Sequence, residues 1–255
     1  VITGVDNDTF TASNGNNTVD AGDGVNTITL SGGSNSVVAG AGNDAISLTS
    51  GTNIVNAGDG TNTVTLSNGT NTVTTGTGAD TITASSGINS INAGDGIDII
   101  NLSGGANTLN AGAHADSITA TGGTNSIDGG AGTNTISLSG GTNTVVTGLD
   151  NDTITASSGN NTVDAGDGVN TITLSGGSNS VVAGAGNDAF TLSSGTNIVN
   201  AGNGTNTITL SNGINTVSTG TGADTITASS GTNSINAGDG IDIITLNGGA
   251  NTVNA

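Results

Sequence analysis

The only side chains in this 255-residue chain that ionise at neutral pH are 19 carboxylates, all of them Asp, beside a single His; there is no Lys, Arg or Cys. Carboxylates with no basic partner and no second acid facing them across a cleft are poorly placed for general acid–base work. Together with turn carbonyls and amide oxygens they suit a hard cation, and Ca2+ in particular accepts six to eight oxygen ligands in flexible geometry. The spacing supports that chemistry, because the acids return at a fixed phase. Asp6, Asp8, Asp23, Asp44, Asp59, Asp80, Asp95, Asp98, Asp116, Asp150, Asp152, Asp167, Asp188, Asp224, Asp239 and Asp242 all fall in Gly-rich stretches such as GDGVN (22 to 26). Asp20, Asp128 and Asp164 fall outside them. Half a period away, GGSN (32 to 35) and its equivalents carry no acid but an unbroken series of Asn: 17, 35, 53, 71, 89, 107, 125, 143, 161, 179, 197, 215, 233 and 251.

The elements that must position these groups follow from the period. The shortest repeat is nine residues, x-G-x-G-x-[N/D]-x-[I/V]-x, and two of them make an 18-residue unit that runs without insertion from end to end. Ile28, Ile46, Val64 and Ile82 mark one series of apolar positions, with Phe10 and Phe190 in the same phase; Val19, Val37, Val55 and Val73 mark the other. In NTITL (26 to 30), Asn26, Ile28 and Leu30 share one face and Thr27 and Thr29 the other, the period-two alternation of a half-buried strand. Two such strands joined by two Gly turns make one coil. The predicted fold is therefore all-β: a flattened parallel β-solenoid of 18 residues and two short strands per coil, with about 14 coils stacked ~4.8 Å apart over roughly 70 Å. Residues 1–111 match 145–255 at a shift of 144, eight such periods, so the array is expected to be a single continuous one, duplicated for length. Both ends of the chain fall mid-pattern, as in a window of a longer repetitive protein.

The two turn edges of this solenoid differ chemically. On the Asn edge each amide can donate to one neighbouring coil and accept from the other, forming a ladder that needs no ion. The acidic edge is expected to be a line of carboxylates one coil apart, each repelling the next by about 1 kcal/mol even in water. Only cations can neutralise it, since the net charge is −19 with no internal base.

The turns AGAGNDAIS (39 to 47), TGTGADTIT (75 to 83) and AGDGIDIIN (93 to 101) resemble the calcium-binding nonapeptide repeat G-G-x-G-x-D-x-U-x of RTX proteins, and the resemblance covers the whole chain. It implies a parallel β-roll holding Ca2+ between turns, with the sixteen acids of the edge as candidate ligands. Two departures restrict it. The other edge has Asn throughout, and the acidic edge itself has Asn at 26, 62, 134, 170 and 206; in four of these turns an acid or amide stands three places earlier (Asp23, Asp59, Asp167, Asn203), while GAGTN (130 to 134) has no acid. Calcium is therefore expected on one edge at most.

The charge rules out the Lys/Arg-based binding of nucleic acid and of anionic membranes, and no apolar run is long enough to cross a bilayer. No catalytic constellation can be assembled around the lone His114, a turn residue in GAHAD (112 to 116), so no enzyme is expected. An outward face carries Thr-x-Thr pairs (Thr9/Thr11, Thr27/Thr29, Thr63/Thr65, Thr81/Thr83, Thr153/Thr155), broken at Ala45/Ser47 and Ile99/Asn101. Such rows are similar to the ice-binding surfaces of some antifreeze proteins. The leading expectation is a structural extracellular protein, a fibre or the extender of a large bacterial surface adhesin, that self-associates end to end or into fibres. An ice-binding module, with an ice surface as its partner, is the second, and a calcium-binding region of a secreted enzyme or toxin the third.

Overall fold

The computed structural model describes residues 1–255 and contains 26 β-strands and no helix. It divides into two compact units, Val1–Gly130 and Ala131–Ala255. The first unit holds seven coils of two strands each, from Thr9–Ala12 and Asn17–Asp20 to Ser117–Ala120 and Thr124–Asp128. The second also holds seven; in two of them the strand continues through the neutral turn, as Thr135–Val146 and Thr153–Asp164. The strand pairings are parallel and, apart from a shift that sets Ser139 beside Ser158, in step with the repeat: Ile28 lies beside Ile46 and Leu30 beside Leu48 on one side of the coil, Asn35 beside Asn53 and Val37 beside Val55 on the other.

Alternation decides which side chains enter the interior. Thr27–Leu30 reads exposed, buried, half-buried, buried, and Ser34–Val38 alternates strictly from exposed to buried and back. The core is thus a thin double row of Ile28-type, Leu30-type and Val37-type residues, each at most 3 % exposed in the interior coils. Phe10 and Ile244 are half-buried and Val253 exposed, because they belong to the first and last coils, which have a neighbour on one side only. Each Ile or Leu placed here gains roughly 1.5–3 kcal/mol from leaving water, but only because the coils above and below cover it. A further column, Ala21, Ala39, Ala57 and Ala93, is also fully buried. It lies where the chain enters the acidic turn, and the solenoid has room there only for a methyl group or, at Thr75, Thr147 and Thr219, for a buried Thr.

The turns stack as closely as the strands do. Gly58 has φ +79°, and a Cβ built on it would lie 1.7 Å from the carbonyl oxygen of Gly40 in the coil below. No side chain fits that approach, which explains why Gly recurs at the turn. Backbone hydrogen bonds run between turns as well, for instance Gly24 N to Ala41 O at 2.8 Å and Gly42 N to Asp59 O at 2.8 Å. No helix is long and apolar enough to cross a membrane.

Candidate cation-binding edge

The acidic edge is not the single row of carboxylates that the sequence suggests. It consists of two rows that differ in burial. The alternation that turns Asn26 and Ile28 inward applies equally to Asp44 and Ile46, so the acid that precedes each strand by one residue points into the turn. Asp44, Asp80, Asp98, Asp116, Asp152, Asp188 and Asp224 are at most 2 % exposed, as are Asn26, Asn62, Asn134, Asn170 and Asn206 in the same column. Asp8 and Asp242, in the outermost coils, are half-buried. The remaining acids of the edge, Asp6, Asp23, Asp59, Asp95, Asp150, Asp167 and Asp239, are exposed, and so are Asp20, Asp128 and Asp164 on the outward strand face.

The interior rungs of each unit use one oxygen in the same way. Oδ1 accepts the backbone N–H of the equivalent residue one coil earlier: Asn26 N donates to Asp44 Oδ1 at 2.8 Å, Asp44 N to Asn62 Oδ1 at 3.0 Å, Asn62 N to Asp80 Oδ1 at 2.6 Å and Asp80 N to Asp98 Oδ1 at 2.8 Å. The second unit repeats the pattern, with Asn170 N to Asp188 Oδ1 at 2.7 Å and Asn206 N to Asp224 Oδ1 at 2.7 Å. Residue type matters only at the second atom. In Asp8, Asp44, Asp80, Asp98, Asp152, Asp188 and Asp224 the other oxygen, Oδ2, is buried and has no hydrogen-bond partner. A carboxylate oxygen out of water and without a hydrogen-bond partner is costly.

The charge balance records this cost. Burial raises the pKa of Asp44, Asp80, Asp152 and Asp188 above the ordinary carboxylate range, despite the hydrogen bonds they accept. Where Asp rungs follow one another the effect is larger: burial, with the Asp80 charge added, pushes Asp98 up to about 6, and burial, with the Asp98 charge added, pushes Asp116 up to about 7. The exposed row behaves differently. Asp23 Oδ1 accepts the Ala41 N–H at 3.0 Å and Asp167 Oδ1 the Ala185 N–H at 2.8 Å, so these carboxylates tie one turn to the next from outside. Asp59 accepts both the hydroxyl and the backbone N–H of Thr77, and these two bonds hold its carboxyl below the usual value.

A scan against protein-family models matches the RTX calcium-binding nonapeptide repeat over residues 2–37, 29–64, 65–100, 83–118, 101–136, 110–145, 137–172, 173–208, 210–244 and 227–255. The chain belongs to that family. The RTX assignment gives the orphaned oxygens a counterion, and the donor set fits it: buried carboxylate oxygens without hydrogen-bond donors, set among turn carbonyls, are the hard oxygen ligands Ca2+ prefers. Calcium would neutralise the rung and link it to the carbonyls around it. Nowhere do three carboxylate or imidazole side chains converge, so each ion on this RTX array would rely largely on main-chain oxygens. Among solved structures the chain is similar to a hyperactive, Ca2+-dependent, β-helical antifreeze protein from an Antarctic bacterium, at 19 % identity and a TM-score of 0.49, over 99 % of this chain and 80 % of that one. No curated protein matches the sequence.

The opposite edge of the RTX solenoid is the expected amide ladder. Asn17 Nδ2 donates to Asn35 Oδ1 at 2.8 Å, Asn35 to Asn53 at 2.8 Å, Asn53 to Asn71 at 2.7 Å and Asn71 to Asn89 at 2.8 Å, and the ladder resumes in the second unit with Asn143 to Asn161 at 2.7 Å. The second amide hydrogen goes to a carbonyl three residues back, as from Asn35 to Gly32 O at 2.9 Å. Both donors and the acceptor of each interior amide are satisfied without an ion. His114 is exposed, its Nδ1 lies 2.8 Å from Ala113 O, and it is the one non-Gly residue with positive φ, at +86°. The Thr pairs stack in register, Thr9 beside Thr27 and Thr11 beside Thr29.

Proposed function

We propose that this RTX array is a structural segment of a secreted protein, a fibre or the extender of a large bacterial surface adhesin, in which calcium bound along the acidic edge stiffens the coils. The observation that carries the reading is the set of buried Oδ2 atoms without hydrogen-bond partners in the parallel coils of each unit. A cation there turns the least stable feature of the edge into a link between coils. The buried Asp rungs from Asp8 to Asp242 supply the charged ligand beside main-chain oxygens, and the exposed acids Asp6, Asp23, Asp59, Asp95, Asp150, Asp167 and Asp239 attract ions to the edge. Nearly identical coils of constant length suit a spacer, because length can be set by copying the array, as the match of 1–111 to 145–255 suggests. In this reading the segment itself is not catalytic, and copies associate end to end or into fibres.

Thermal unfolding of the calcium-free and calcium-saturated chain tests this directly. The melting temperature is expected to rise by at least ten degrees with calcium; an unchanged value after complete removal would overturn the ion-stiffened reading. The register of the outward-facing Thr pairs supports a second reading, an ice-binding face. Ala189 beside Thr171 and Ile99 beside Thr81 interrupt the row and count against it. Absence of thermal hysteresis at high protein concentration would dismiss it.

A further inference from the structure

The Asn residues of the acidic edge look, from sequence, like degenerate ligand positions. At Asn26 and Asn62 the side chains are instead fully engaged. Asn26 Nδ2 donates to Gly22 O of its own turn at 3.2 Å and to Ala39 O of the next coil at 3.0 Å. Asn62 Nδ2 donates to Gly58 O at 3.0 Å and to Thr75 O of the next coil at 3.3 Å. At these two rungs the amide nitrogen bridges the carbonyls of two successive turns, whereas Asn170 and Asn206 donate only within their own turns, to Gly166 O at 3.4 Å and Gly202 O at 3.3 Å. That is the same place in the repeat at which an Asp rung leaves Oδ2 buried and without a partner.

We propose that the Asn26 and Asn62 rungs are built-in replacements for the ion: calcium enters at Asp rungs such as Asp44, Asp80, Asp188 and Asp224, while these two Asn rungs are closed by their own amides and take none. This rests on the calcium reading of the edge. Asn and Asp are interchangeable at Oδ1, which accepts the same backbone N–H from the preceding coil. At the second position they are opposites. An amide carries two partially positive hydrogens into the group of carbonyls, whereas a carboxylate adds another negative oxygen and requires a positive charge between them. An alternation of ion-closed and amide-closed coils lowers the number of like charges in adjacent buried rungs without interrupting the column.

The test counts ions on the full chain by native mass spectrometry across a calcium titration, with calcium-free melting as a second readout. D44N is expected to bind one ion fewer than the parent and to melt at a higher temperature when calcium-free, since an amide closes the rung. N62D is expected to bind one ion more and to lose stability when calcium is withdrawn. An unchanged ion count in D44N overturns the proposal, as does an N62D chain that gains no ion or stays unfolded in saturating calcium. A parent chain that binds no calcium at all would remove the reading of the edge itself. A parent that binds calcium, with variants that leave the count unchanged, would remove only the assignment of rungs.

Discussion

At the scale of single residues, the acidic edge links stability to pH in a direction opposite to that of most surface carboxylates. Asp98 and Asp116 hold their protons to about 6 and about 7 because burial disfavours the charged form. The unfolded chain, with ordinary carboxyls, has released them well before that. The folded state thus binds more protons between about pH 4 and pH 7, and its stability falls as pH rises through that window. Calcium-free protein is expected to melt at a higher temperature at acid than at neutral pH, with the trend abolished or inverted by saturating calcium; a calcium-free profile that rises toward neutrality would contradict the burial of these acids. His114 offers a simpler test. It adopts φ +86° at a position filled elsewhere mostly by Gly, and its side chain is exposed. His114→Gly relieves a left-handed conformation costing roughly 1 kcal/mol, and chemical denaturation should show a gain of that size.

At the scale of the element, the two edges show what a repeat sequence reveals and what it hides. The alternation in NTITL placed Ile28 and Leu30 inside, and both are buried. The same alternation placed Asn26 inside, and the unbroken Asn series required a ladder, which is present. Applied to Asp44 it would have predicted a buried acid, but a carboxylate in a Gly-rich turn reads as solvated when a single coil is considered. What makes burial tolerable is the N–H of Asn26, one coil away, aimed at Asp44 Oδ1. Such a bond exists only in the stack. The Ala21 column was missed for a related reason, since Ala carries little hydrophobic signal and its burial follows from the close approach of turns. The ladder itself is testable at Asn71, 1 % exposed, which donates to Asn89 Oδ1 and Asn68 O and accepts from Asn53. Asn71→Ala leaves buried partners unsatisfied on both sides and is expected to cost roughly 2–4 kcal/mol, with little change in the number of calcium ions bound. A loss below about 0.5 kcal/mol, within the range of ordinary surface substitutions, would deny the ladder a structural role.

At the scale of the whole molecule, composition and architecture act together. With no Lys or Arg anywhere, the chain should survive trypsin even when unfolded in urea, and an intact band on a denaturing gel after prolonged digestion is the expected result. The two edges also share a property that neither the repeat nor the charge announces. Along the neutral edge each side chain donates toward higher residue numbers, from Asn17 to Asn35 to Asn53, and along the acidic edge the backbone N–H groups do the same, from Asn26 to Asp44 to Asn62. Within each unit the hydrogen-bond dipoles in these two columns point one way. A coil offered upside down would meet donors with donors and strands with antiparallel partners, so it could not join the stack. Any growth by addition of further coils, within a chain or between copies, is therefore vectorial: one end of such an array presents acceptors, the other donors, and like ends do not fit.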